Sequence, residues 1–254
     1  MANTRKKPVI GITTWRRDLP NFTSEDDLYT LHFHYHRAVQ EAGGIALLLP
    51  HSNLADLQQY LQFFDGLVIT GGGDVDPVLY GEVNKGQSFG IRTIADEFER
   101  ALIQEAGKRQ IPTLGICRGH QIIQVAFGGN LLQDIYDTYP EHPKMGKEPP
   151  HSHLIHPVIL EKDSALEAIY GKEEITVNSL HHQCVSSVGE GFKVIGWSSD
   201  GMIEACQSET DWFALGVQWH PELLGSQGQQ IFDFFIHGIT ERKENQVLTV
   251  TTGS

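Results

Sequence analysis

The chain predicts an α/β fold, and three observations carry that prediction. Short apolar runs at residues 8–13, 45–49, 66–70 and 111–116 alternate with segments of helical spacing, the pattern of strands wound with helices. From His156 onward the pattern changes to short strand-like runs separated by turn signals such as Gly189-Glu190-Gly191 and Ser199-Asp200-Gly201. Between the two regions, Cys117 lies where an apolar strand passes into a helical pattern, with Gly115 and Gly119 two residues to either side.

Residues 8–13 read as a first buried strand and 15–27 as a polar loop. Residues 29–41 look helical and stop at Gly43-Gly44, a glycine C-cap signal. A second buried strand spans 45–49 and ends at Pro50; Leu54, Leu57, Tyr60, Leu61 and Phe64 then keep helical spacing. The third strand, 66–70, runs into Gly71-Gly72-Gly73-Asp74-Val75-Asp76-Pro77. Residues 96–109 form an amphipathic helix with Phe98 and Leu102 on its apolar side, and its carboxylates read as a solvated face. Residues 137–153 contain Pro140, Pro143, Pro149 and Pro150 and form a long loop, functional or disordered in a compact domain. Short strands follow near 158–160, 175–177, 193–197, 203–205 and 213–217. A last helix presents Ile231, Phe232, Phe235, Ile236 and Ile239, and the polar end from Glu244 is expected to fray.

A chain of 254 residues has room for one large α/β domain or two small ones. Its net charge of −13 argues against nucleic acid or an anionic membrane surface as the main partner. No apolar run approaches the ~18 residues of a membrane span. The basic start is followed by an apolar stretch only from Val9 to Ile12, too short for a signal peptide. Three cysteines, Cys117, Cys184 and Cys206, make neither a disulfide framework nor a zinc spacing, so a reducing cytoplasm is the expected compartment.

Glycines flanking Cys117 suit a nucleophile elbow, a sharp turn that lifts one side chain above a sheet, with a helix N-terminus favouring the thiolate. Taken alone, Gly-x-Cys-x-Gly reads equally as a buried cysteine beside packing glycines. The triple glycine is a phosphate cradle, an oxyanion hole or a plain turn. Without a Walker lysine or a Gly-x-Gly-x-x-Gly fingerprint, the oxyanion hole is the better use if Cys117 attacks a carbonyl. His220-Pro221-Glu222 supplies an imidazole for proton transfer and a carboxylate two residues on to orient it. His32 with His36, and His151, His153 and His156, are minor metal candidates; ordinary polar positions are the preferred reading.

These motifs together resemble the class I glutamine amidotransferases and, within them, the stand-alone C26-type γ-glutamyl-γ-aminobutyrate hydrolases of putrescine degradation. The likeness is carried by Thr70 to Pro77, Gly115 to Gln121, Val177 to Gln183, Asp200 to Ala205 and Gln218 to Glu222. It covers residues 8–240 as one unit, leaving 1–7 and 244–254 as flexible ends. The implied fold is a mostly parallel, flavodoxin-like sheet flanked by helices, with a small antiparallel β region. The implied reaction opens the γ-glutamyl amide of a small γ-glutamyl amine through a Cys117 thioester, giving glutamate and the free amine. Carried over, Cys117 is nucleophile, His220 base and acid, and Glu222 the orienting carboxylate. Backbone N–H groups of Gly73 and Arg118 form the oxyanion hole, and Gly72, Gln121, Ser179, Leu180 and His181 border the substrate. Neither His181 nor His182 has a carboxylate two residues on, so neither is expected to be the base. No metal or organic cofactor is implied, and a homodimer is left open. Two alternatives remain: a glutaminase subunit delivering ammonia to a partner synthase, and a non-enzymatic γ-glutamyl-binding protein. Arg16, Arg17, Arg92 and Lys147 are candidates for meeting a carboxylate on the leaving amine.

Overall fold

The structure, a computed structural model, describes residues 7–17, 28–143 and 153–252, with side chains described for 7–16, 28–143 and 153–243. Residues 1–6, 253 and 254 of the expected flexible ends lie outside the described residues, as do Lys147, His151 and the side chain of Arg17. In chain order the elements are β1 (Val9–Thr13), β2 (Trp15–Arg17), β3 (Leu28–Thr30), α1 (Phe33–Glu41), β4 (Ile45–Leu49), α2 (Leu57–Tyr60), β5 (Gly66–Ile69), α3 (Thr93–Lys108), β6 (Thr113–Ile116) and α4 (Arg118–Ala126). Then come β7 (Asn130–Leu132), β8 (His156–Leu160), α5 (Ala165–Tyr170), β9 (Glu174–Val177), β10 (Cys184–Ser187), β11 (Phe192–Ser198), β12 (Ile203–Ser208), β13 (Ala214–Val217) and α6 (Gly225–Thr252).

Nine of these strands form one sheet in the order β4-β1-β5-β6-β13-β12-β11-β8-β9. The first five pair in parallel. Numbered along the chain they run second, first, third, fourth, fifth, which is the flavodoxin-like order with its switch point between β1 and β5. Beyond β13 the pairing turns antiparallel. The late strands thus extend the main sheet, while β7 with β10 and β2 with β3 make two small antiparallel pairs.

Helices cover both faces, so the central strands are apolar throughout instead of alternating. Every residue of β5, β6 and β13 is buried. On one face Val68, Leu114 and Val217 pack with Tyr35 and Val39 of α1 and Phe232 and Phe235 of α6. On the other, Leu67 and Ile69 pack with Phe98 and Leu102 of α3 and Ile122 and Ile123 of α4. Successive strand residues point to opposite faces, so each core takes its own set.

Three expectations change. The segment from Leu28 is a strand paired with Trp15 to Arg17, and α1 begins only at Phe33; a cross-strand partner overrides helical spacing there. Strand β4 is not buried: at the sheet edge, Ile45, Leu47 and Leu48 are exposed and only Leu49 is covered. Helix α3 does not turn all its carboxylates to solvent, because Asp96 and Glu99 are fully buried.

Candidate active site

Cys117 follows the C-terminal end of β6 and caps α4 with φ 54° and ψ −110°, in the positive-φ region that a side chain rarely adopts. Its N–H donates to the Val217 carbonyl at 2.8 Å, tying the turn to β13. The flanking glycines are required by space. A Cβ on Gly119 would lie 1.9 Å from the Ile69 carbonyl oxygen, and one on Gly115 would lie 2.7 Å from that of Gly119. Only bare backbone lets the first turn of α4 sit this close to β5 and β6, as an elbow demands.

His220 follows β13, and its Nδ1 lies 2.7 Å from Glu222 Oε1. The sequence spacing suggests an extended segment. Instead Pro221–Leu223 is a 3-10 turn with Pro221 at its start, and the turn closes the His–Glu contact. Asn178 clamps the His220 backbone from both sides: the His220 N–H donates to Asn178 Oδ1 at 2.8 Å, and Asn178 Nδ2 donates to the His220 carbonyl at 3.1 Å. Burial disfavours the imidazolium, yet the charges of Glu222 and Cys117 and hydrogen bonds to both hold the His220 pKa well above its ordinary value.

The triple-glycine loop completes the setting. A Cβ on Gly71 would sit 3.0 Å from His220 Cε1 and 3.8 Å from Cys117 Cβ, so this backbone borders both side chains. Gly72 and Gly73 have no room either, since added Cβ atoms would meet the Trp15 ring at 2.6 Å and the Gly90 carbonyl oxygen at 2.4 Å. The loop is therefore packed, which removes the plain-turn reading. The Gly71 N–H donates to Tyr35 Oη at 3.1 Å and the Asp74 N–H to the Phe89 carbonyl at 2.9 Å. Among the described residues, the N–H groups of Gly72, Gly73 and Arg118 have no protein acceptor.

Sequence reasoning missed Tyr35, whose hydroxyl also lies 3.4 Å from His220 Nδ1. Burial first, and the Glu222 charge second, hold its pKa far above the usual phenol range. Tyr35 thus joins the glycine loop to the His220–Glu222 pair from α1, more than thirty positions before the loop; no local spacing announces it. The Arg118 side chain was unread as well. It is buried in ion pairs with Asp96 and Glu99 and lies 4.6 Å over the Trp15 ring, with His51 Nε2 3.7 Å from Glu99. The cluster locks α3, α4 and β2 together behind the cysteine.

The remaining candidates differ in setting. The Gln121 amide donates to the Gln183 carbonyl at 3.0 Å and to Gln218 Oε1 at 3.1 Å; the Gln218 amide reaches the Cys117 sulfur at 3.7 Å. Ser179 is buried with no partner for its hydroxyl among the described residues, and Leu180 is half-buried. His181 turns to the Gln183 carbonyl and Glu204, and burial lowers its pKa to about 3. His182 Nε2 pairs with Asp74 Oδ2 at 3.1 Å, a contact that raises its pKa. Both histidines gain a carboxylate through tertiary contacts that spacing could not reveal, but the one set against Cys117 and Gly71 is His220. Exposed His32 and half-buried His36 converge with no carboxylate among the metal-candidate groups of the described residues.

The peptidase C26 family model matches residues 8–222, a span that includes Cys117, His220 and Glu222. The chain belongs to the peptidase C26 family. It is 34% identical over 260 residues to the γ-glutamyl-γ-aminobutyrate hydrolase PuuD of Escherichia coli (strain K12), covering 96% of this chain and 99% of that one. It is 35% identical over 202 residues to the glutamine amidotransferase-like protein YvdE of Lactococcus lactis, covering 78% of this chain and 84% of the other. The fold also matches a Thermoplasma acidophilum protein described as a GMP synthase subunit, with a TM-score of 0.63 at 20% identity, over 95% of this chain and 98% of that one. Membership in a peptidase family makes a hydrolase the general activity. Among the described residues, no helix is long and apolar enough to cross a membrane.

Proposed function

We propose that the chain hydrolyses the γ-glutamyl amide of small γ-glutamyl amines, γ-glutamyl-γ-aminobutyrate foremost, through a thioester on Cys117. The observation that carries this reading is His220, held by Glu222 at 2.7 Å and set against Cys117 and the Gly71 backbone. Cys117 gives its proton to His220, and the sulfur adds to the γ-carbonyl carbon. The resulting oxyanion is received by N–H groups of Gly73 and Arg118. The C–N bond breaks as His220 returns the proton to the leaving amine, and the γ-glutamyl thioester remains. Water then gives a proton to His220 and its oxygen to the carbonyl carbon; the C–S bond breaks, the thiol is restored and glutamate leaves. Glu222 stabilises the imidazolium at each transfer, and Tyr35 and Asn178 fix its position. No step requires a metal. Residues 8–240 act as one unit in a reducing compartment such as the cytoplasm, in the putrescine-degradation setting that the resemblance implies.

Two of the cations suggested for the leaving group's carboxylate, Arg16 and Arg92, line one cavity of about 310 Å³ with Tyr29 and His51. Trp15, whose ring meets the His51 ring edge-on at 6.1 Å, also packs against Gly72 and Gly73. A site with a second carboxylate subsite discriminates against glutamine by about 10–100-fold in kcat/KM. The test is steady-state hydrolysis of a panel of γ-glutamyl amines and glutamine by the purified full chain, with Arg92→Ala alongside. Preference for γ-glutamyl-γ-aminobutyrate, narrowed in Arg92→Ala, supports the reading. Equal or better use of glutamine, with ammonia release rising when a synthase is added, would move the chain to the glutaminase-subunit class.

A further inference from the structure

A second polar cluster lies in the antiparallel half of the sheet, and the chemistry proposed for Cys117 uses none of its imidazole nitrogens. His142 follows the 3-10 turn Ile135–Asp137, His156 opens β8, His181 lies between β9 and β10, and Glu204 is on β12. All four are buried, and one ligand atom from each falls within 4.8 Å of the others. The ring orientations are coordinated. His156 Nδ1 donates to the Pro157 carbonyl at 3.1 Å, and His181 Nδ1 donates to the Gln183 carbonyl at 3.0 Å. His142 Nδ1 donates to Asp200 Oδ2 at 2.9 Å. A carbonyl or carboxylate oxygen only accepts, so each ring carries a proton on Nδ1, and the neutral form of each turns its lone pair to Nε2. Among the described residues, all three Nε2 atoms and both Glu204 oxygens are buried with no hydrogen-bond partner. Glu204 Oε1 lies 3.6 Å from His156 Nε2 and 4.0 Å from His181 Nε2.

Three lone pairs turned toward a carboxylate repel one another unless a proton or a metal cation lies between them. Tying Nδ1 to a carbonyl or carboxylate is the outer arrangement that orients ligating histidines. We propose that His142, His156, His181 and Glu204 form a closed binding site for a divalent cation of the zinc class. Three imidazoles and one carboxylate suit zinc, whereas magnesium and calcium prefer all-oxygen shells. A tetrahedral zinc with bonds of about 2.0–2.1 Å holds its donors roughly 3.4 Å apart, close to the His156–Glu204 separation. Four protein ligands leave no open position, so the ion is structural and the hydrolysis does not pass through it. It fastens the segment carrying His142 to β8, β12 and the turn that also bears Ser179.

The test uses the full chain without a polyhistidine tag, purified from zinc-supplemented medium and freed of loose metal. One zinc per chain by elemental analysis is expected, with a first shell of three nitrogens and one oxygen by X-ray absorption. Cobalt loaded in its place should give tetrahedral visible bands, and magnesium should not be retained. His142→Ala and Glu204→Gln should each lower retained zinc at least tenfold, while His153→Ala, an exposed histidine nearby in sequence, keeps it. Wild-type chain retaining neither zinc nor cobalt would overturn the site, and would point to a protonated Glu204 shared with the imidazoles. Retention undiminished in both His142→Ala and Glu204→Gln would overturn it too.

Discussion

Half-buried His220 and buried His181 each lie beside a buried glutamate, and the fold turns them in opposite senses. His220 gives Nδ1 to Glu222, and its backbone is gripped by Asn178, so the ring's other edge is left for Cys117. His181 gives Nδ1 to the carbonyl of Gln183, and its Nε2 faces Glu204. The first ring is held charged more easily than a free imidazole; the second is held neutral by burial, with a pKa of about 3. Adjacent strand ends carry the two sites, since Gln218, two residues before His220, donates its N–H to the Glu204 carbonyl. The two sites thus differ in which ring nitrogen faces the carboxylate: Nδ1 in His220, the arrangement suited to proton transfer, and Nε2 in His181, the one suited to cation binding.

The largest expected effect tests whether the chemistry belongs to the His220 side alone. Cys117→Ala should lower hydrolysis by at least about a thousandfold, as removal of a nucleophile does. Cys184→Ala and Cys206→Ala should keep most activity, because burial pushes both thiols up and away from the thiolate form. Glu222→Gln should lower kcat by roughly 10²–10⁴ with little change in KM. It should also move the alkaline limb of the rate profile. His220 has its pKa raised by Glu222, so the imidazolium that protonates the leaving amine persists to higher pH and activity falls as pH rises through that pKa. Without the carboxylate the pKa drops and the fall begins at lower pH; an unmoved limb in a pH–kcat/KM series would detach Glu222 from His220.

Smaller effects sharpen the contrast with purely structural ion pairs. Arg118→Leu leaves Asp96 and Glu99 buried without their cation and should cost about 3–5 kcal/mol of stability, read as a lowered Tm or denaturant midpoint. The Arg118 N–H survives this change, so whatever folds should retain much of its kcat. Tyr35→Phe removes the acceptor of the Gly71 N–H and should cost about 1–3 kcal/mol. It should also reduce kcat by about tenfold while KM stays put, if Tyr35 positions His220. A stability loss with kcat intact would leave Tyr35 as scaffold only.

Legibility in the sequence followed sequence distance. Cys117 with its glycines, and His220 with Glu222, are local patterns, and so were visible in one dimension. The central parallel strands were visible because full burial writes continuous apolar runs. Strand β3 was hidden because its partner β2 lies across the 18–27 segment, and pairing outweighed helical spacing. Asp96 and Glu99 looked like a wet helix face because their cation, Arg118, arrives from another helix. Tyr35, Asn178 and the cluster of Glu204 with His142, His156 and His181 draw on widely separated segments, and only folding brings them together.

The proposed hydrolysis stands or falls on Cys117 attacking a γ-glutamyl carbonyl under the control of His220. The most direct measurement treats the full chain with a glutamine analogue bearing an electrophilic carbon at the γ-carbonyl position and maps the adduct by peptide mass spectrometry. One adduct is expected, on Cys117, with Cys184 and Cys206 untouched. Activity should disappear in step with labelling, and γ-glutamyl-γ-aminobutyrate should slow both. Full labelling of Cys117 with hydrolysis undiminished, or hydrolysis lost through an adduct elsewhere, would contradict that mechanism.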